Sequence, residues 1–196
     1  AGHPAQTAAQ GALICQDWPG FGAIAPEHYF SAGDLAGGAR LDGLVTFHFA
    51  CYGAGTPQQD RFVHEPGVAP PTIAPVPFLA ALPRALLNRG ALACIGHVER
   101  AWGYSIATPN AGAQLLPFEN ALGRMMTGQP IGSALKDFYE RYAALSVTLL
   151  TMLEDVGNGK NIADYELAAA WIGRNDAEGY LLLGDPAVRL RVTEMV

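Results

Sequence analysis

Basic charge is scarce in this chain of 196 residues: Lys and Arg number 12 against 18 Asp and Glu, for a net charge of −6. The basic residues are scattered singly, so nothing marks an electrostatic footprint for nucleic acid or for an anionic membrane surface. Charge of either sign makes up only 15 % of the residues, against about 25 % in an ordinary soluble domain. Long apolar runs are missing too. The strongest, Ala143 to Leu153, is interrupted by Ser146, Thr148 and Thr151 and falls well short of the roughly 20 residues that span a bilayer. Cysteine is sparse, with Cys15, Cys51 and Cys94 only. An odd, small number cannot close a disulfide scaffold, which favours a reducing, cytoplasmic compartment. No Cys-x-x-Cys occurs, no two histidines have metal-ligand spacing, and there is neither a Walker phosphate loop nor Gly-x-Gly-x-x-Gly after a strand. No metal and no organic cofactor is expected. The chain opens Ala1-Gly2-His3-Pro4 without an initiator Met, which reads as a processed product or a piece of something longer.

Half of the residues are apolar, enough for a sizeable core, and the length suits one large domain. Two short continuous apolar runs, Leu44 to Ala50 and Ala91 to Gly96, read as buried parallel strands. Between them, after a Pro-rich loop, Phe78 to Arg89 places Phe78, Leu79, Leu82, Leu86 and Leu87 on one helical face and ends at Gly90. A strand, helix, strand unit of this kind predicts a crossover in a parallel sheet. Gly11 to Gln16 is a third strand candidate, followed by a stretch to Gly43 that reads as mostly loop. Helices are expected over Leu115 to Met126, Ser133 to Val156 with a stop at Gly157-Asn158-Gly159, and Ile162 to Ile172. Strands are expected at Tyr180 to Leu183 and Ala187 to Val192. The strands are few for the helices present, as if the first strands of an open sheet lay before Ala1.

Cys51 ends the first buried strand and is followed at once by Tyr52-Gly53-Ala54-Gly55. Ligands of open α/β sheets bind outside the carboxyl ends of the strands. A thiol there is placed as a nucleophile, with the glycines letting the backbone turn sharply and bring N–H groups to a substrate oxygen. The alternative is a small buried thiol, the common state of free cysteine; Cys15 and Cys94, inside apolar runs, read that way. His48 lies on the strand that leads to Cys51 and points to the other face, as a packed core histidine. His28 and His64 lie in loops. His97, at the end of the second strand, is either a substrate contact or a structural hydrogen-bonding group. His3 lies close in sequence to the first strand candidate and is the nominal partner for Cys51. Glu99 follows the second strand close to Trp102, and Asp17 adjoins Trp18. A carboxylate beside an aromatic wall suits a long cationic side chain, and the alternative for Glu99 is a solvated carboxylate paired with a neighbouring base such as Arg100.

The run Leu44-Val45-Thr46-Phe47-His48-Phe49-Ala50-Cys51-Tyr52-Gly53-Ala54-Gly55 resembles the nucleophile strand and turn of caspase-like cysteine peptidases of the bacterial CHAT and gingipain-related type. Three further segments agree in order: Gln10 to Trp18, Ile95 to Trp102, and Leu183-Gly184-Asp185-Pro186-Ala187-Val188-Arg189-Leu190. The resemblance implies a three-layer α/β/α fold with a mainly parallel sheet, of which this chain would hold the C-terminal two-thirds. It implies a Cys-His dyad with Cys51 as nucleophile and no cofactor. The family's base sits in a His-Gly turn, where this chain has Gly2-His3-Pro4, so the base is either His3 or a histidine before Ala1. The loop after the next strand, Glu99 to Ser105, would line the pocket for the residue before the scissile bond. The expected substrate is a protein or peptide cut after Arg or Lys, with Glu99, Trp102, Asp17 and Gly53 as substrate-binding residues. The alternative is a catalytically silent caspase-like scaffold that assembles with other domains or chains, which would supply the missing strands.

Overall fold

The computed structural model describes residues 5–35, 37–62, 65, 67–103, 106–108 and 112–194. The architecture is mixed α/β, with helices and several small sheets. The chain groups into two compact units, one of residues 1–99 with 181–185, the other of residues 100–180 with 186–196.

The main sheet has three strands, β3 (Val45–His48), β6 (Ala93–His97) and the C-terminal β9 (Tyr180–Gly184), with β6 in the middle, and all but Tyr180 belong to the first unit. β3 and β6 are parallel, as the two apolar runs predict, in the register Val45 opposite Ala93 through His48 opposite Gly96. Every residue of β6 is buried, which is why that run carries no polar alternation. Gly184, the last residue of β9, lies against Leu92 and Ala93 at the start of β6, the placement of an antiparallel neighbour.

Helix α2 covers Ala81–Leu87, shorter than the expected Phe78 to Arg89. Pro83 sets the start. A helix beginning at Phe78 would drive the proline ring into the carbonyl of Leu79, whereas beginning at Ala81 puts Pro83 in the first turn, where its missing N–H costs nothing. Phe78–Leu79 instead forms β5, paired antiparallel with β4 (Gly55–Thr56). The helix stops where the glycine predicts: Gly90 has φ +100°, its N–H donates to Leu87 O, and Ala91 N–H donates to Leu86 O. That bond pair is a Schellman motif, and Leu86 and Ala91 meet in the core cluster with Leu82 and Cys94. The third strand candidate is reduced to β1 (Leu13–Ile14), and it pairs with β2 (Tyr29–Phe30) in an antiparallel ribbon outside the main sheet. The loop reading of Tyr29–Phe30 is thereby corrected. His28 is used locally, its Nδ1 accepting the Ala25 N–H at 3.1 Å.

The second unit is mostly helical, with a two-stranded ribbon of β7 (Ala107–Thr108) and β8 (Gly112–Ala113). Helix α3 spans Leu116–Met126 and α4 spans Lys136–Gly157 after a 3₁₀ turn at Ile131–Leu135. The Arg124 to Asp137 ion pair at 2.6 Å ties α3 to α4. Its core is aromatic: Phe118 meets Phe138 edge-on at 5.1 Å, and Phe138 meets Tyr180 at 4.6 Å between ring centroids. Helix α5 runs Asp164–Glu178, past the expected end at Ile172. The apolar period stops there, but the helix goes on with Asn175 and Asp176 buried. Ala187 to Val192 is not a strand; the carbonyls of Pro186 and Val188 accept N–H bonds from Gly132 and Ile131, and a 3₁₀ turn covers Val192–Glu194. Among the described residues no helix is long and apolar enough to cross a membrane.

Candidate active site

The Cys51 turn is built by the end of β3. Gly53 N–H donates to Ala50 O at 3.1 Å, closing a four-residue turn in which Tyr52 takes φ +55°. A positive φ at the third position of a turn is ordinarily given to glycine, because a side chain there costs on the order of 1–2 kcal/mol. Tyr52 is the sole non-glycine residue with positive φ among the described residues. This corrects the reading of the glycines as the hinge. Gly53 serves close packing instead: a Cβ on it would lie 3.2 Å from His48 Cβ and 3.1 Å from Ala50 O. Its N–H, expected to face substrate oxygen, is committed to the turn.

The turn is laced to the end of β6. Tyr52 N–H donates to Glu99 O at 2.8 Å and Ala54 N–H to His97 O at 3.0 Å. Gly96 fits closely here, since a Cβ on it would stand 3.1 Å from Ala54 Cβ. The result holds Cys51 exposed at the carboxyl end of a parallel pair, where the sequence places it. Cys15 is half-buried and Cys94 buried. Burial pushes the Cys94 thiol pKa up, with a smaller opposing effect from a hydrogen bond to Thr46.

His97 is fully buried, and its Nδ1 accepts the Glu99 N–H at 3.0 Å. Nδ1 is thereby committed to a structural hydrogen bond. His48 is buried as expected, its Nδ1 has no hydrogen-bond partner among the described residues, and burial lowers its pKa. Glu99 is 4 % exposed, which overturns the reading of a solvated surface carboxylate. Asp17 is exposed beside half-buried Trp18 in the turn after β1. His3 and His64 lie outside the described residues, as do Tyr104 and Ser105 at the end of the expected pocket loop. No group of three or more His, Cys, Asp or Glu able to hold a metal occurs among the described residues.

Trp102 belongs to the second unit. Its backbone N–H donates to Asp176 Oδ1 at 2.6 Å across a sequence separation of 74. Asp176 is fully buried, and its pKa is raised to about 6, first by desolvation and against the opposing pull of the Trp102 N–H and the Arg141 guanidinium. Sequence reasoning missed Asp176 and Arg141. The signal available was a polar Arg174-Asn175-Asp176 run three residues before the apolar Tyr180 to Leu183 run, which resembles a solvated helix end.

No family model matches the chain, and neither does any curated protein or solved structure.

Proposed function

We propose that this chain carries the nucleophile of a caspase-like cysteine endopeptidase. The observation that supports it most is the turn at Cys51. An exposed thiol at the carboxyl end of a parallel strand is followed by a bulky residue held in the left-handed region. Strain of this kind concentrates at functional sites, where the surrounding structure overdetermines it. A buried packing cysteine needs neither the exposure nor the strain.

In this reading the Cys51 thiolate attacks the scissile carbonyl carbon, the carbonyl π electrons move to oxygen, and a histidine holds the thiol proton. Collapse of the tetrahedral species expels the amine, which takes the proton from that histidine, and leaves an acyl-enzyme thioester. Water then hydrolyses the thioester and restores the thiol. His3, which lies outside the described residues, is the nominal base. His97 and His48 are poor substitutes: the first has its Nδ1 committed to Glu99 N–H, and the second is buried with its pKa lowered. Neutral thiol has a pKa of about 8.5, so an imidazolium close to Cys51 is needed to hold the thiolate near pH 7. Backbone N–H groups stabilise the oxyanion, without Gly53, whose N–H is already bonded. Cleavage after Arg or Lys is proposed, with the acidic residues Glu99 and Asp17 as the charge partners.

The second reading is a silent scaffold of the same fold, and the two commitments just named, of His97 and His48, favour it. Hydrolysis of short peptide amides with Arg, Lys, Leu or Asp before the cleaved bond, compared between the wild type and Cys51→Ala, separates the two. Turnover that disappears in Cys51→Ala supports the peptidase, and no turnover of any substrate supports the scaffold.

A further inference from the structure

The ribbon that follows the Cys51 turn borders a cavity with no part in the chemistry described above. Its volume is about 370 Å³, within the range of roughly 300–1,000 Å³ of ligand clefts. Gly55, Thr56, Pro77, Phe78, Leu79 and Val98 line it, and no lining residue is charged. These residues and Cys51 belong to the same unit. The absent side chain of Gly55 leaves space here, since a Cβ on it would lie 3.6 Å from Val98 Cγ1. The lining begins one residue past the bond from Ala54 N–H to His97 O that laces the Cys51 turn to β6.

Beside the cavity runs a strand edge. Among the described residues β4 and β5 form a ribbon of two strands only. Ala80 N–H donates to Ala54 O at 2.9 Å, so in the alternating antiparallel pattern the next pair, Gly55 and Leu79, turns its backbone groups outward. Leu79 is 49 % exposed, and an outward N–H and C=O on an exposed strand are a template for another chain. Pro77, two residues earlier, has no N–H, so Leu79 alone offers both a donor and an acceptor. Thr56 is 4 % exposed, and its Oγ1 has no hydrogen-bond partner among the described residues. A buried hydroxyl in that state calls for a partner.

We propose that β5 and this cavity bind an extended peptide, one residue of which exchanges two backbone hydrogen bonds with Leu79 while an apolar side chain of the peptide fills the cavity. The occupant is a peptide because the edge asks for an N–H and a C=O on one residue. Its side chain is apolar because the lining holds no charge to offset the desolvation of a charged one. A peptide carbonyl would also give Thr56 Oγ1 an acceptor. That this peptide is the substrate of Cys51 rests on the peptidase reading; the binding does not. In that reading the cavity takes a residue other than the one before the scissile bond, for which a cationic side chain is proposed.

The test is fluorescence polarisation of fluorescein-labelled hexapeptide amides, Thr throughout except for Leu, Glu or Lys at the fourth position, titrated with Cys51→Ala, which cannot consume the probe. The Leu peptide should bind at least about tenfold more tightly than the Glu and Lys peptides. Leu79→Glu, added at an exposed position, should weaken the Leu peptide about tenfold. Single N-methylation scanned along the Leu peptide should weaken binding about tenfold at one position, the residue that donates to Leu79 O; this arm needs no further change to the protein, so it decides the matter even if the Leu79 variant does not fold. Absence of saturable binding, equal affinity for the three peptides, or binding indifferent to methylation at every position overturns the proposal, the last in favour of a small apolar ligand. The substrate part is read from wild-type hydrolysis of Arg peptide amides carrying Leu or Glu farther from the cleaved bond. A KM at least about tenfold lower with Leu at one such position, lost in Leu79→Glu, supports it. Binding without hydrolysis of any peptide leaves the site standing and removes the peptidase reading, whereas hydrolysis with a KM indifferent to Leu79→Glu removes the substrate part and leaves the peptidase reading standing.

Discussion

The amide of Tyr52 donates to the carbonyl of Glu99 at 2.8 Å, so the residue after the exposed thiol is tied to the residue two places beyond the end of β6. The bond fixes a left-handed Tyr52 and sets Cys51 at the rim of the parallel pair.

Thiol reactivity should follow this geometry. With iodoacetamide under native conditions Cys51 reacts first, Cys15 more slowly and Cys94 last, because Cys94 is buried and its pKa is raised by desolvation. A separation of at least about tenfold between Cys51 and Cys94 is expected, read by mass spectrometry of digested protein. Faster labelling of Cys94 would contradict the site assignment.

Two glycines should respond oppositely to alanine. Gly184 has φ +122°, and a Cβ there would lie 2.5 Å from Leu92 O. Gly184→Ala should therefore destabilise by about 2 kcal/mol or more in urea unfolding. Gly157, the last residue of α4, has nothing within 4 Å of an added Cβ and no positive φ. Gly157→Ala should stabilise by about 0.5 kcal/mol.

Removing the ring of Phe138 should cost about 3–5 kcal/mol as Phe138→Ala. The ring is fully buried and touches both Phe118 and Tyr180, so the cavity cannot close without moving two aromatic neighbours. Denaturant midpoints check this, and a loss below 1 kcal/mol would mean that this aromatic cluster is not the centre of the second unit.

The pH dependence of stability carries the sign of Asp176. Its folded pKa of about 6 lies above the ordinary 3.8, so the native protein binds the proton more tightly than the unfolded chain does. The stabilisation from that proton is fully present below about pH 4 and is lost as pH rises through 6. Relative to Asp176→Asn, the wild type should lose on the order of 3 kcal/mol across that window, most of it by pH 7. Unfolding free energies of the two proteins that run parallel from pH 4 to pH 7 would refute the assignment.

Specificity is checked by Glu99→Gln and Asp17→Asn, singly and together. Faster turnover of Arg and Lys amides than of Leu or Asp amides is expected in the wild type, and the double variant should lose most of that preference. Retained preference in the double variant would remove both carboxylates from the pocket.

Local pattern determined much of this protein. Continuous apolar runs are enough to mark β3 and β6 and their parallel pairing; for β6, buried throughout, no other composition is open. Pro83 and Gly90 bracket α2 for reasons confined to their own backbones. The place of Cys51 after a strand follows from the same reading, whereas its exposure is decided by the fold. Tertiary structure decided what depends on distant partners. Tyr52 rather than a glycine carries the left-handed φ, with its N–H bonded to Glu99 O, while Gly53 and Gly96 pack closely against His48 and Ala54. Pro83 keeps Phe78–Leu79 out of the helix, and only the fold decides that it pairs as a strand with Gly55–Thr56. Asp176 goes under the surface because Trp102 N–H and Arg141 meet it there. A carboxylate in a polar helix end looks solvated until the chain folds, since nothing within its own turn reveals a donor 74 residues away. Periodicity reports which face a residue is on, whereas a buried charge is settled by the groups that the fold brings to it.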